Sequence, residues 1–213
     1  MTQRRVPDQE RAQQTVEALL QAAASLLDQV GLEGFNTNLL AKRAKVRVRT
    51  VYRYFPNKHA VITLLAQRAI EQWGTWFGEV ELLADPRVRL EAVWPRLIDA
   101  YVRGIRALPA GLALRRAMRA DDQLRVLDDR DNAVLAARVA QVLKLRWPGA
   151  SASALRSATR VLLESASAII DVSLGHPGPA AKALVRSLKA MHSAYLNQLE
   201  LTGSSRASRT SAA

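Results

Sequence analysis

The sequence predicts an all-α protein, and three observations carry that prediction. Alanine, leucine and arginine dominate the 213 residues, whereas only 10 glycines and 8 prolines are available for turns. Apolar residues recur at spacings of three and four, which gathers them on one helical face. The breaks between such stretches are short and carry Gly, Pro, Asn or Asp. With 49% apolar and 23% charged residues the chain has the balance of a globular protein, and its length suits one large domain or two small ones.

Residues 1–9 are polar, contain Pro7 and are expected to form a flexible arm. A helix follows from about Glu10 to Val30, with Val16, Leu19, Leu20, Ala23, Leu27 and Val30 on one stripe and Gly31 as its C-terminal cap. Asn36 is a suitable N-cap for a short helix over 37–44, whose inner face is Leu40, Ala41 and Ala44. Val46 lies in the turn, and a second short helix over 48–54 turns Val51 and Phe55 inward before Pro56-Asn57 ends it. Longer helices are expected over 58–83, 87–107 (with a kink at Pro95), 123–146, 152–174 and 179–201, with short helical segments around Asp121-Asp122. Residues 203–213 are rich in Ser, Ala and Arg and are expected to be disordered. The organisation is therefore an arm (1–9), a small three-helix domain (10–57), a larger helical domain (58–202) and a tail (203–213).

The chemistry available is narrow. There is no cysteine, so disulfides, thiolate metal sites and cysteine nucleophiles are all excluded. The three histidines, His59, His176 and His192, lie far apart and form no local metal pair. No nucleophile elbow, zinc-protease, Walker or dinucleotide-binding signature occurs, so no catalytic residue, metal or cofactor is assigned. A leader peptide is not visible and no apolar run approaches ~18 residues, so a cytoplasmic protein with no membrane partner is expected.

The formal charge is +12, and its placement is more telling than its size. Between Phe35 and Ile70 there is no Asp or Glu, while Lys42, Arg43, Lys45, Arg47, Arg49, Arg53, Lys58 and Arg68 all fall there. This is a local footprint for a polyanion. It coincides with the two short helices and tight turn of a helix-turn-helix. Packed beneath the helix at 10–30, the second short helix is left with Arg47, Val48, Arg49, Thr50, Tyr52 and Arg53 on its outer side. Arginine matches guanine O6 and N7, Val and Thr methyls match the thymine methyl, and Thr and Tyr hydroxyls match phosphate oxygens.

The run from Val30 to Val46, followed by Arg47-Val48-Arg49-Thr50-Val51-Tyr52-Arg53-Tyr54-Phe55-Pro56-Asn57-Lys58, resembles the DNA-binding domain of the TetR family of regulators. The signature Thr-apolar-Tyr-x-Tyr/His-Phe-x-x-Lys is matched by Thr50, Val51, Tyr52, Tyr54, Phe55 and Lys58. The resemblance covers residues 10–60 closely. It implies that Thr37, Tyr52 and Lys58 clamp phosphates, that Asn38, Val48 and Arg49 face base edges, and that Thr50 does either. Two positions depart from the family pattern. Lys45 stands where a glycine in the left-handed conformation is usual, and Arg47 replaces the usual N-cap serine. Arg49 replaces a small residue, so an operator sequence does not carry over from relatives.

The resemblance further implies that the chain beyond about residue 60 binds a small-molecule effector and pairs two subunits. Trp73, Phe77, Trp94, Tyr101 and Met118 are the candidate pocket lining; the same side chains also suit an ordinary core. Leu162, Ala166, Ile169, Leu184, Leu188, Met191 and Tyr195 mark apolar faces on the last two helices, suited to a twofold four-helix interface. The expected partners are a near-palindromic double-stranded DNA operator, an effector and a second copy of the chain. The expected mechanism is a repressor whose reading heads change separation when the effector shifts the helix at 58–83. Three rivals stay open at this point: an enzyme, a charge-driven DNA binder without sequence preference, and an activator in place of a repressor.

Overall fold

A computed structural model describes residues 5–176 and 178–210, with side chains described for 9–72, 79–176 and 178–199. Among these residues the chain is helical and has no strand. In order come α1 (Arg5–Gly34), α2 (Thr37–Arg43), α3 (Val48–Tyr54), α4 (Lys58–Thr75), a 3-10 segment (Trp76–Ala84), α5 (Leu90–Ala107), α6 (Gly111–Ala120), α7 (Asp122–Arg146), α8 (Ala152–Gly175) and α9 (Pro179–Thr210). No described helix is long and apolar enough to cross a membrane.

The chain divides into two compact units, and the division differs from the expected boundary at residue 57. The first unit comprises Met1–Glu71 together with Arg106–Arg125; the second comprises Gln72–Ile105 and Val126–Ala213. The first unit therefore takes most of α4 and the whole of α6. Linear periodicity shows that α6 has an apolar face but not which helix covers it. Here Leu114, Ala117 and Met118 are buried, and α6 packs on α1. Leu19, Leu27, Phe35, Leu40, Val51, Val61 and Ile62 complete that core. Each such side chain contributes about 1.5–3 kcal/mol on leaving water.

The helix ends show local chemistry. α1 begins at Arg5, five residues before the expected start, because Pro7 lies in its first turn, where a missing N–H costs nothing. Gly31, at φ 65°, breaks the helix at the position expected for its cap. The expected helix over 58–83 stops at Thr75 and tightens to 3-10, with Gly74 and Gly78 bracketing the change. α5 starts at Leu90 because Asp85 holds a turn ahead of it. The Asp85 carboxylate accepts from the Arg87 guanidinium (2.8 Å) and from the Arg87 backbone N–H (2.9 Å), which lowers its pKa to about 2. α9 is described to Thr210, past residue 203, the start of the expected disordered tail. Ala and Arg favour helix, and the segment holds no proline to stop it.

In the second unit α8 and α9 form a hairpin and bury Leu155, Ala158, Leu162, Ile170, Leu188 and Leu196. The Thr159 hydroxyl donates to the Ala136 carbonyl at 3.0 Å and so pins α8 to α7. Arg146 donates to the carbonyls of Asp85 (2.7 Å) and Val88 (2.8 Å), closing the turn before α5.

Candidate nucleic-acid interface

The first unit presents α3 outward. Asn36 is extended, and its Oδ1 accepts from the Leu39 N–H at 2.9 Å, which fixes the start of α2. Phe35 and Leu40, on either side of that cap, are both buried as in a hydrophobic staple. α2 closes in a Schellman motif: the Val46 N–H donates to the Ala41 carbonyl (3.0 Å) and the Lys45 N–H to the Lys42 carbonyl (3.2 Å). That closure puts Lys45 at φ 55°, the left-handed region usual for glycine here. Arg47 is extended at the head of α3, and its side chain makes no capping hydrogen bond.

Val51 is the buried residue of α3, and Phe55 follows it into the core. These two side chains anchor the helix, and its exposed side is left for a groove. Arg47, Arg49, Tyr52 and Arg53 are exposed; Val48 and Thr50 are half-buried. Thr37, on α2, is buried, and its hydroxyl lies 3.1 Å from the Tyr52 hydroxyl. Two residues with the same assigned role are thus adjacent, with Tyr52 on the exposed side. Asn38 is exposed beside them. Lys58 is half-buried, and its Nζ donates to the Leu32 carbonyl at 3.3 Å, leaving two N–H donors on the ammonium.

The eight cations between Phe35 and Ile70 do not act alike. Arg43 donates to Ser25 Oγ (2.6 Å) and to Gln29 Oε1, and Arg68 pairs with Glu17, so both tie their helices to α1. The Arg53 guanidinium lies 5.8 Å from the Tyr54 ring centre. Lys42, Lys45, Arg47 and Arg49 are exposed.

Sequence reasoning missed two local features. Asn57 caps α4, its Oδ1 accepting from the Ala60 N–H at 2.9 Å; an asparagine just ahead of a helical run was the available signal. Asp121 caps α7 by accepting from the Gln123 (3.0 Å) and Leu124 (3.1 Å) N–H groups, and its other oxygen lies 3.3 Å from His59 Nδ1. No local signal joins residues so far apart.

The residues assigned to a pocket are not gathered into one unit. Met118 is buried in the first, whereas Trp94 is buried and Tyr101 half-buried in the second; the Trp73 and Phe77 side chains lie outside the described residues. Trp94 is already engaged, donating to His192. The residues assigned to subunit pairing also divide. Leu162, Ala166 and Leu188 are buried within their own subunit, because the α8–α9 hairpin uses them as its core. Ile169, Leu184 and Tyr195 are half-buried, and Met191 is exposed. Outward apolar positions include Val161, Ala168 and Val172 on α8 and Met191 on α9. They follow helical spacing one position away from the buried set.

Two family models match the chain: bacterial regulatory proteins of the tetR family over residues 19–65, and the tetracyclin repressor-like C-terminal domain over residues 90–196. The class C tetracycline repressor of Escherichia coli is 41% identical over 51 residues, which are 24% of this chain and 23% of that protein, so the match spans under a quarter of that relative. Among solved structures, a TetR-family regulator from Streptomyces coelicolor aligns with TM-score 0.58 at 22% identity over 86% of this chain and 98% of that one. A transcriptional regulator from Rhodococcus sp. Rha1 aligns with TM-score 0.62 at 21% identity, covering 86% and 96%. These last two likenesses concern the fold.

Proposed function

Because the chain belongs to the TetR family of transcriptional regulators, we propose that it is a homodimeric, cytoplasmic repressor that binds a near-palindromic operator and leaves it when a small molecule binds. The observation that carries the DNA-reading part is the outer surface of α3. Arg47, Arg49, Tyr52 and Arg53 are exposed there in a stretch with no acidic residue, and the Thr37–Tyr52 hydroxyl pair stands beside them. Arg49 and Val48 read base edges, with Asn38 and Thr50 alongside; Thr37, Tyr52 and Lys58 hold phosphates.

Pairing is supported by the outward Val161, Ala168, Val172 and Met191 on α8 and α9, which give a twofold four-helix interface an apolar face. Two heads then contact half-sites about one turn of DNA or a multiple of it apart. The effector binds beyond residue 58 and shifts α4, which begins at Lys58 directly after the reading head. By linkage it binds the DNA-free form more tightly by the factor it weakens DNA binding.

Selection from a randomised duplex pool tests this reading, run beside an Arg49→Ala variant. Recovery of a near-palindrome, with relaxed preference in the variant, supports it. Salt-sensitive binding with no enrichment overturns sequence reading in favour of a charge-driven binder.

A further inference from the structure

Lys45 is a lysine where the backbone calls for glycine. The Schellman closure of α2 requires φ 55°, and a Cβ is crowded in that conformation. Among the described residues no side-chain contact of Lys45 offsets this. The Lys45 side chain is exposed and makes no hydrogen bond or ion pair with any described residue.

Its surroundings are cationic. Across the turn, α1 lines a groove with Arg11, Gln14 and Thr15, and the facing wall is Ala44 and Val46, the two neighbours of Lys45. Arg11 is exposed, and its guanidinium has no partner among the described residues. The acid one and a half turns further along α1, Glu17, is engaged by Arg68. Glu10 precedes Arg11 but points roughly 100° away around the helix. Arg11 thus lines one wall of the groove and Lys45 sits between the two residues of the other, next to the head of α3, and neither side chain has a partner among the described residues.

We propose that Arg11 and Lys45 bind the sugar-phosphate backbone of the duplex, so that one strand runs along this groove while α3 reads bases. The proposal rests on the reading of α3 as the base-reading helix and adds a second binding site to it. Phosphate contacts carry no sequence information, so the pair raises affinity for every duplex alike and fixes the register of the head. The side chain of Lys45 then has its use in the complex, which is why glycine does not serve at this position.

The test uses the full chain and the variants Lys45→Gly and Arg11→Gln. Anisotropy titrations are made at several salt concentrations on the duplex recovered by selection and on an unrelated duplex of equal length, with a thermal melt of each protein. Lys45→Gly is expected to melt no lower than the parent, yet to bind both duplexes several-fold more weakly. The slope of log K against log salt is expected to become shallower by about 0.9 for each phosphate no longer neutralised, in both variants. The preference between the duplexes stays unchanged. Parental affinity and slope in Lys45→Gly overturn the proposal, and so does a weakening confined to the selected duplex, which would make Lys45 a base-reading group. A parent that binds neither duplex overturns the DNA-binding reading itself, and this proposal with it.

Discussion

The indole N–H of Trp94 on α5 donates to Nδ1 of His192 on α9 at 2.9 Å. Indole is a donor only, so this bond sets the tautomer: Nδ1 accepts, and the proton sits on Nε2. Nε2 lies 2.9 Å from Ser165 Oγ, whose hydroxyl in turn donates to the Val161 carbonyl at 2.7 Å. Both ring nitrogens of a buried imidazole are thereby satisfied in the neutral form. A second proton has no acceptor to meet and would oppose the indole N–H.

Burial lowers the His192 pKa from 6.5 to about 4. The folded-state value lies below the unfolded one. The stability that this group contributes is therefore present above about pH 6.5 and is lost as the pH falls toward 4, because the unfolded chain takes up a proton that the folded chain refuses. Between pH 7 and pH 5 the loss is about 2 kcal/mol. Urea unfolding at both pH values should show it, and His192→Leu should remove that part of the pH dependence. An equal slope in the variant would assign the effect elsewhere.

Arg43 and Arg49 look alike in the sequence, but the structure separates them. Arg43 is bonded to Ser25 and Gln29 on α1, while Arg49 is exposed on α3. Arg43→Ala is expected to cost about 0.5–1.5 kcal/mol of stability and leave the salt dependence of DNA binding unaltered. Arg49→Ala is expected to do the reverse, weakening and relaxing binding without lowering the melting temperature. Paired denaturation and titration curves decide; matching profiles for the two variants would defeat the distinction.

The capping residues give a second contrast. Asn36 accepts from the Leu39 N–H, whereas Arg47 caps α3 with nothing. Asn36→Ala should lose about 1 kcal/mol, and Arg47→Ser should gain a similar amount by restoring a side-chain acceptor. Chemical denaturation measures both. Destabilisation by Arg47→Ser would mean that the arginine supports the fold in some other way.

Most of the reading head was legible because its determinants are local. The Asn36 cap, the buried Phe35, the left-handed residue 45 and the break at Pro56 act within a few residues of one another, and the pattern from Phe35 to Lys58 contains them all. The failures involve partners distant in sequence. α6 packs on α1, and Trp94 meets His192 98 residues away. Periodicity shows that such helices have apolar faces but not what covers them. The same limit explains the choice of pairing residues. Val161 and Leu162 are adjacent and equally apolar, and only the fold reveals that Leu162 faces inward.

That difference between neighbours predicts how the proposed dimer fails. Leu162 is 1% exposed, and a carboxylate there would be buried without a partner, so Leu162→Asp should unfold the second unit. Met191 and Val161 are 51% and 56% exposed in the single subunit, so Met191→Asp with Val161→Asp should leave the subunit folded. Paired across a twofold axis, the same substitutions would set four carboxylates into one apolar interface, an arrangement that association cannot compensate. Sedimentation equilibrium should find the double variant monomeric, with helical content unchanged by circular dichroism and affinity for a near-palindromic duplex abolished. A folded variant that remains dimeric would move the interface away from this face of α8 and α9.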